Sequence, residues 1–171
     1  MKIQVTTAVV AATIVLGSAG TAHAAARPHV ESIEGSPSRG FVISWSDGAV
    51  EATASQRRNV TACAYRSSDA AQVRCVRRVR EAFYWMTVTR RTLAAESSEW
   101  SYVTDVRRVA PGEFRLLWED GTVMRQTRER AAWECEYVNA DSPISEGGCK
   151  AAARAKFRWW GVLNRTLAAR I

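Results

Sequence analysis

Hydrophobic and polar positions alternate in two short stretches of the chain, and both stretches predict a β-strand. In the first, Phe41, Ile43 and Trp45 lie on one face of an extended segment, with polar residues such as Ser44 on the other. The second stretch, residues 114–118, has an aromatic, a leucine and a tryptophan at the same spacing. Each stretch therefore predicts a strand with one apolar face.

Both strands lead into an Asp-Gly pair, at residues 47–48 and 120–121, and then into a second short run. Asp-Gly between two such runs is a strong hairpin signal, because a type I′ turn requires positive φ at both central residues. A two-residue turn places Trp45 opposite Val50, and the second hairpin repeats this arrangement. We therefore expect two similar β-hairpins.

Further strands are predicted on either side of each hairpin. A short alternating run precedes it, at residues 29–33 and 102–106, and a cysteine-bearing run follows it, at residues 60–66 and 132–139. Each half of the chain is then expected to contain four strands in a row.

The last part of each half is predicted to be helical, at residues 75–95 and 149–169. In the first of these, Trp85, Val88 and Thr92 recur at the spacing of one helix face. The β-rich stretch at residues 83–89 leaves a short helix followed by a fifth strand as the alternative.

The two halves are similar in sequence throughout. Shifting the second half by 72 to 74 residues aligns about 18 identical residues, including both cysteines of each half and the run Arg-Thr-Leu-Ala-Ala that closes each predicted helix. Identities this numerous and well ordered indicate an internal duplication. We divide the chain into a signal peptide (1–24), repeat 1 (25–101) and repeat 2 (102–171).

These elements predict an α+β fold. Each repeat is expected to be an antiparallel four-stranded meander with one helix on its face, since a helix and one face of a sheet bury each other. The simplest packing of two such repeats is about a pseudo-twofold axis.

Four cysteines lie within the repeats: Cys63, Cys75, Cys135 and Cys149. The number is typical of two disulfides in an oxidising compartment. Three pairings are open, and the duplication favours Cys63–Cys75 and Cys135–Cys149, because each copy must once have been stable with its own pair. Each bridge would stabilise the fold by about 3 kcal/mol. A zinc site is the rival explanation, but no close Cys-x-x-Cys pair exists, so we expect no metal and no cofactor.

The first 24 residues have the features of a signal peptide. Lys2 precedes an apolar run at residues 8–16, and small residues lead to a cleavage site after Ala24. No later stretch approaches the roughly 18 apolar residues of a membrane helix. We therefore expect a secreted or periplasmic protein without a transmembrane segment.

The candidate catalytic residues are few. His29 is the only histidine after the signal peptide and the cysteines are expected to be bridged, which argues against a nucleophilic triad. Glu134 and Glu136, or Glu119 and Asp120, could supply the two carboxylates of a glycosidase. A solvated strand face is the favoured explanation of these carboxylates, so the residues favour a non-enzymatic protein.

The net charge of +7 comes mainly from arginine. Arginines interleaved with aromatics on the predicted helices would suit an anionic polymer, and a solvated helix face is the other explanation. We do not expect nucleic acid as a partner. Arg91 and Arg165 occupy equivalent positions in the two copies and are predicted to form internal ion pairs.

The seven tryptophans divide into two classes when the copies are compared. Four occupy equivalent positions and are expected in the core: Trp45, Trp118, Trp85 and Trp159. The other three, Trp100, Trp133 and Trp160, have no equivalent, so they are either free to serve a surface or are further, partly buried core residues. Trp and Arg dominate binding hot spots, so these three and Arg158 are the predicted binding residues.

Taken together, the residues predict a secreted, disulfide-bonded, non-enzymatic binding protein, such as an inhibitor of an extracellular enzyme. The expected partner is another extracellular protein, with an anionic cell-surface polymer as the alternative. A cell-envelope hydrolase or lysin using a carboxylate pair is the other alternative. The layout of two tandem α/β repeats, each with a local disulfide, resembles the β-lactamase inhibitory proteins, which implies a binding role and carries no individual residue over.

Overall fold

The computed structural model describes residues 27–95 and 102–170. The signal peptide predicted at residues 1–24 and Trp100 lie outside these ranges. The α+β class is confirmed, with two three-stranded antiparallel sheets and four helices. The first half contains β1 (Val30–Ser36), β2 (Gly40–Trp45), β3 (Val50–Ala52), α1 (Gln56–Cys63) and α2 (Asp69–Ala94). The second half contains β4 (Val103–Ala110), β5 (Glu113–Trp118), β6 (Val123–Thr127), α3 (Arg128–Val138) and α4 (Pro143–Ala168).

Each sheet is a simple meander, with strand orders β1-β2-β3 and β4-β5-β6. The predicted alternation of the central strands is confirmed, since Phe41 and Ile43 are buried while Val42 between them is exposed. Phe114 and Leu116 are buried in the same way in β5. The apolar face of each sheet therefore points into the core.

The predicted register of the hairpins is wrong by one residue. Ser44, not Trp45, pairs with Val50, and the Trp45 amide donates to the carbonyl of Ala49 at 2.9 Å. The loop has three residues because only Gly48 adopts positive φ, at 83°. Its other support is the Asp47 carboxylate, which accepts from the Ala49 amide at 3.1 Å. A type I turn followed by a left-handed glycine replaces the predicted two-residue turn.

The predicted fourth strand of each repeat is a helix, so the four-stranded meander is wrong. Ser55 and Thr127 cap α1 and α3 by accepting amide hydrogen bonds from Arg58 and Arg130. In α3 the buried residues are Ala131 and Cys135, which are four apart, as on one face of a helix. The alternation visible over five or six residues was too short to distinguish the two periods.

The long helices α2 and α4 continue without interruption through the β-rich stretch, so the predicted helix is confirmed and the fifth-strand alternative is wrong. Ser68 and Ser142 cap them by accepting from the amides three residues later. Gly147 and Gly148 both lie inside α4. Burial of one helix face outweighs the weak local preferences of these residues.

The two long helices pack side by side and run in the same direction. Gly148 near the start of α4 meets Val73 near the start of α2, where a β-carbon would approach Val73 Cγ1 to 2.8 Å. Further along, the rings of Trp160 and Trp85 make an edge-to-face contact at 5.5 Å. Both sheets pack onto this helix pair and close one continuous apolar core.

The favoured disulfide pairing is confirmed. Cys63–Cys75 joins α1 to α2, and Cys135–Cys149 joins α3 to α4, with Cα–Cα distances of 5.6 and 5.5 Å. The four cysteine residues are buried or partly buried. Each bridge therefore fixes a short helix to the long helix of its own half.

The two halves are also linked by a reciprocal pair of buried hydrogen bonds. The Thr166 hydroxyl, at the end of α4, accepts from the Val30 amide at the start of β1 at 3.1 Å. The equivalent Thr92, at the end of α2, accepts from the Val103 amide at the start of β4 at 3.2 Å. Each long helix thus anchors the first strand of the other half. The pseudo-twofold axis itself stays a prediction.

Removing one of these acceptors tests how much the link stabilises the fold. Thr166→Val keeps the side-chain shape but leaves the buried Val30 amide without its partner, so we expect a loss of about 1–3 kcal/mol in the free energy of unfolding. Urea titration followed by circular dichroism measures this loss.

Thr89→Val is the matched control. Thr89 and Thr166 are both fully buried, but the Thr89 hydroxyl donates to the Trp85 carbonyl within its own helix. The Trp85 carbonyl also accepts a backbone hydrogen bond within the helix, so it keeps a partner in the variant. We therefore expect Thr89→Val to lower the free energy of unfolding by less than about 1 kcal/mol. Equal losses for the two variants would contradict the proposed importance of the link.

Candidate binding surfaces

The four predicted binding residues do not form one surface. Trp100 lies outside the described residues. Trp160 is 0% exposed and packs against Trp85, Phe114 and Phe157, so it belongs to the core and is not a surface residue. Its spacing of three from Phe157 was the sequence signal for this burial. Trp133 and Arg158 are both exposed.

Trp133 forms a stacked aromatic pair with Tyr137 on the outer face of α3. The ring centroids are 5.4 Å apart and the planes differ by 14°. Both rings are largely in solvent, with 59% and 74% of their surface exposed, and Val138 beside them is also exposed. Their spacing of one helical turn explains the contact. Comparison of the copies identified Trp133, but Tyr137 was missed because Tyr65 is equivalent to it.

The short helix α3 is joined to α4 by the Cys135–Cys149 bridge and by one ion pair, between Glu136 and Lys150. Lys150 on α4 lies 2.6 Å from a Glu136 oxygen and 2.7 Å from a Glu146 oxygen. The hydrogen bonds to Glu136 and Glu146 raise the pKa of Lys150 above its ordinary value. The aromatic pair is therefore carried on a helix that is fixed to the body of the protein.

A first cleft lies where α2 of the first half meets the β5–β6 hairpin of the second. We call it the aromatic cleft, because Tyr84, Trp118 and Met124 line it together with the buried Phe83 and Val88. Its volume is about 650 Å³. Burial raises the pKa of Tyr84 above its ordinary value, and the nearby Glu81 carboxylate adds to the effect.

A second cleft lies where α4 of the second half meets the β2–β3 hairpin of the first. We call it the arginine cleft, and its volume is about 850 Å³. Phe114, Phe157 and Trp45 supply its aromatic walls. Five arginines line it: Arg27, Arg108, Arg128, Arg158 and Arg165. The carboxylates in its lining are those of Asp47 and Glu51, both exposed on the hairpin.

The two clefts occupy equivalent positions in the two halves. Trp118 and Asp120 of the aromatic cleft align with Trp45 and Asp47 of the arginine cleft. The helix residues also correspond, because Phe83, Val88 and Arg91 align with Phe157, Val162 and Arg165. The frame of each cleft is therefore shared.

The lining residues that differ give the clefts opposite chemistry. Tyr84 aligns with Arg158, Thr87 with Gly161, and Met124 with Glu51. The aromatic cleft is therefore the more apolar of the two, although Arg80, Arg91 and Asp120 also line it. The arginine cleft is larger in volume and has more charged residues. Neither cleft could be predicted from the sequence, because each joins a helix of one half to a hairpin of the other.

Positive charge in the arginine cleft is largely uncompensated. No ion pair within residues 27–95 and 102–170 includes any of its five arginines. Burial and the nearby charge of Arg27 lower the pKa of Arg165. The Arg165 Nε donates to the Pro28 carbonyl at 3.1 Å, so the ion pair predicted for Arg165 is not present among the described residues.

The candidate catalytic carboxylates are not arranged as a pair across a cleft. Glu134 binds Arg130 and Gln126 through its two oxygens, whereas Glu136 binds Lys150. Asp120 accepts from the Thr122 amide in the hairpin loop, and this hydrogen bond lowers the pKa of the exposed carboxyl. Each of these three acids therefore has a structural partner.

Two kinds of feature are absent from the described ranges: a cluster of metal ligands and a membrane-spanning helix. Residues 27–95 and 102–170 contain no group of three or more His, Cys, Asp or Glu side chains that could hold a metal ion. None of the helices in these ranges combines the length and the apolar character that crossing a membrane requires.

Comparison with known proteins does not identify a relative. The chain matches no protein-family model, no curated protein and no solved structure. The resemblance to the β-lactamase inhibitory proteins therefore rests on general layout alone.

The environment of Tyr84 can be tested by titration. Because burial disfavours the phenolate, we expect Tyr84 to ionise above its ordinary pKa of 10.0. A folded-state pKa above the unfolded one means that stability is retained below about pH 10 and falls as the pH rises towards the folded pKa. Tyr84→Phe should remove this alkaline loss. Subtracting its absorbance titration near 295 nm from that of the wild type isolates Tyr84, and a midpoint at or below 10 would contradict the assignment.

Proposed function

We propose that this protein is an exported, non-enzymatic binding protein that binds another extracellular protein through the aromatic pair on α3. The observation that carries the proposal is the exposure of Trp133 and Tyr137 as a stacked pair on a disulfide-anchored helix. Export follows from the predicted signal peptide, and two disulfides are compatible with an extracellular location.

The geometry of the pair favours protein binding. Trp and Tyr are the residues most enriched among hot spots, and large apolar rings in solvent gain free energy when a partner covers them. Stacking holds both rings in one arrangement before any partner arrives. Less side-chain freedom is then lost on binding, which strengthens the complex.

The ion pairs around the rings complete a recognisable interface pattern. Arg130 and Glu134 form a pair at 3.0 Å on α3, and both side chains are well exposed. A central aromatic patch with a polar, solvent-accessible rim is the usual anatomy of a protein interface. Glu134 and Glu136, one carboxylate pair of the hydrolase alternative, each lie in an ion pair with a basic side chain, which favours a structural role for them.

The proposal includes an arrangement of the two halves as duplicated copies about a pseudo-twofold axis. The reciprocal threonine bonds and the equivalent clefts support it. Within such an arrangement, the α3 surface is unique to the second copy, because Thr61 stands in the first copy where Trp133 stands in the second. One partner molecule is therefore expected to bind, at the α3 surface of the second copy.

The test compares two double variants at equivalent positions. Trp133→Ala/Tyr137→Ala removes the aromatic pair, and Thr61→Ala/Tyr65→Ala is the matched control at the end of α1 and just after it. The mature wild-type protein, immobilised, is used to isolate a partner from spent medium of the producing organism. Loss of a hot spot of about 2 kcal/mol weakens the dissociation constant roughly 30-fold, so we expect at least this loss for the first variant.

The control should bind within about twofold of wild type. Both variants should retain the wild-type fold, because a surface substitution usually changes the free energy of unfolding by no more than about 0.5 kcal/mol. Circular dichroism and thermal melting check this. If the partner is an enzyme, stoichiometric inhibition would define the protein as an inhibitor. Equal retention of the partner by wild type and the Trp133/Tyr137 variant would refute the proposed surface.

A further inference from the structure

The arginine cleft continues into a second basic groove. Between α2 and α4 lies a groove of about 680 Å³. It is lined by Arg66, Arg74, Arg78 and Arg154, and it shares Arg158 with the arginine cleft. A smaller depression between α3 and α4 includes Arg128, Arg154 and Arg158 again. Arg158 thus lies where all three meet.

The positive charges along this path are open to a ligand. None of these arginines takes part in an ion pair between described residues. Arg128 lies over the Phe157 ring, with its guanidinium carbon 5.9 Å from the ring centroid, which orients that side chain without neutralising it. Surface arginines that merely keep a helix soluble would not be expected to line concave grooves on three sides of one residue.

The directions from which the arginines approach favour phosphate over carboxylate. Arg27 precedes β1, Arg108 lies on β4, Arg128 begins α3, and Arg158 and Arg165 lie on α4. A tetrahedral phosphate offers oxygen atoms in several directions, so guanidinium groups on different elements can each bind one. A carboxylate offers two oxygens in one plane and suits a single facing arginine better.

The length of the path favours a chain over a small ion. From Arg154 to Arg165 along α4 the axial distance is about 16 Å, at 1.5 Å per residue. One inorganic phosphate cannot contact both ends. Several phosphate groups on one flexible chain could bind at the same time. Each contact would increase the affinity, because it releases counterions from the chain.

We propose that the arginine cleft and the adjoining groove between α2 and α4 bind an extended polyanion with repeated phosphate groups, such as a phosphodiester polymer of the cell envelope. This site goes beyond the protein-binding function proposed above and uses a different surface. The equivalent aromatic cleft, with Tyr84 in the place of Arg158, is not expected to bind this ligand.

Inorganic polyphosphate of defined chain length is the probe, and the full mature protein is used. Fluorescence anisotropy at several salt concentrations gives the affinity and its salt dependence. Arg158→Glu should weaken binding at least tenfold, and Arg158→Gln should weaken it less. For Arg158→Glu the slope of log affinity against log salt should also fall in magnitude by about 1 or more, as expected when a phosphate contact is lost.

Arg57→Glu is the matched control, because it makes the same change in net charge. Arg57 is exposed on α1 and lines none of the three grooves. It should bind polyphosphate within about twofold of wild type. Equal losses for Arg57→Glu and Arg158→Glu would overturn the site, since they would indicate attraction by net charge alone.

Other polymers test the chemical class. Poly-glutamate of similar charge should bind at least tenfold more weakly than polyphosphate, and equal binding would overturn the preference for phosphate. Tighter binding of oligodeoxythymidylate than of polyphosphate would replace the proposal with a nucleic-acid site. Trp133→Ala/Tyr137→Ala should bind polyphosphate like wild type, so the failure of one proposal is distinguishable from the failure of the other.

Discussion

Where α2 and α4 run side by side, Gly148 lets the two backbones approach and Trp160 fills the space between α2, α4 and β5. Most other features depend on this parallel contact. Each sheet packs onto the helix pair, and each helix end accepts the first amide of the opposite sheet through a buried threonine. Neither half buries its apolar surface alone, because part of the covering surface comes from the other. Two similar sequences therefore share one hydrophobic core.

The same contact creates the two clefts. A helix of one half and a hairpin of the other meet twice, so any groove at one junction has an equivalent at the other. The frame residues, such as Phe83 and Phe157, are buried and face strong packing constraints. Tyr84 and Arg158 are exposed residues of the cleft linings, where a change of side chain leaves the core intact. The shared frame of the two junctions is thus compatible with an aromatic lining at one and a basic lining at the other.

Much of the local structure could be predicted from the sequence, because it depends on residues close together in the chain. The central strands follow from the alternation around Phe41, and the disulfide pairs follow from the duplication. The hairpin register was missed because the Asp47 carboxylate stabilises a three-residue loop, a choice that composition alone does not reveal. The short helices α1 and α3 were missed because runs of seven and eight residues show too little of either period. The spacing of Trp160 from Phe157 indicates a buried helix face, but the ring of Phe114 that contacts Trp160 lies on β5, about 45 residues away in the chain, and no local pattern contains that contact.

The two proposed surfaces lie on one rigid frame, yet they are expected to act independently. The Cys135–Cys149 bridge and the Lys150–Glu136 ion pair fix α3 to α4, so the aromatic pair and Arg158 are carried by the same body. Coupling between two sites requires a structural element with two arrangements, and each ligand must bind one arrangement more tightly than the other. The close approach at Gly148, the bridges and the buried threonine bonds all favour a single arrangement of the helices. A protein partner on α3 and an anionic chain along α4 would then bind with nearly additive free energies, which is how a binding protein could be held at an anionic surface while its aromatic face stays available.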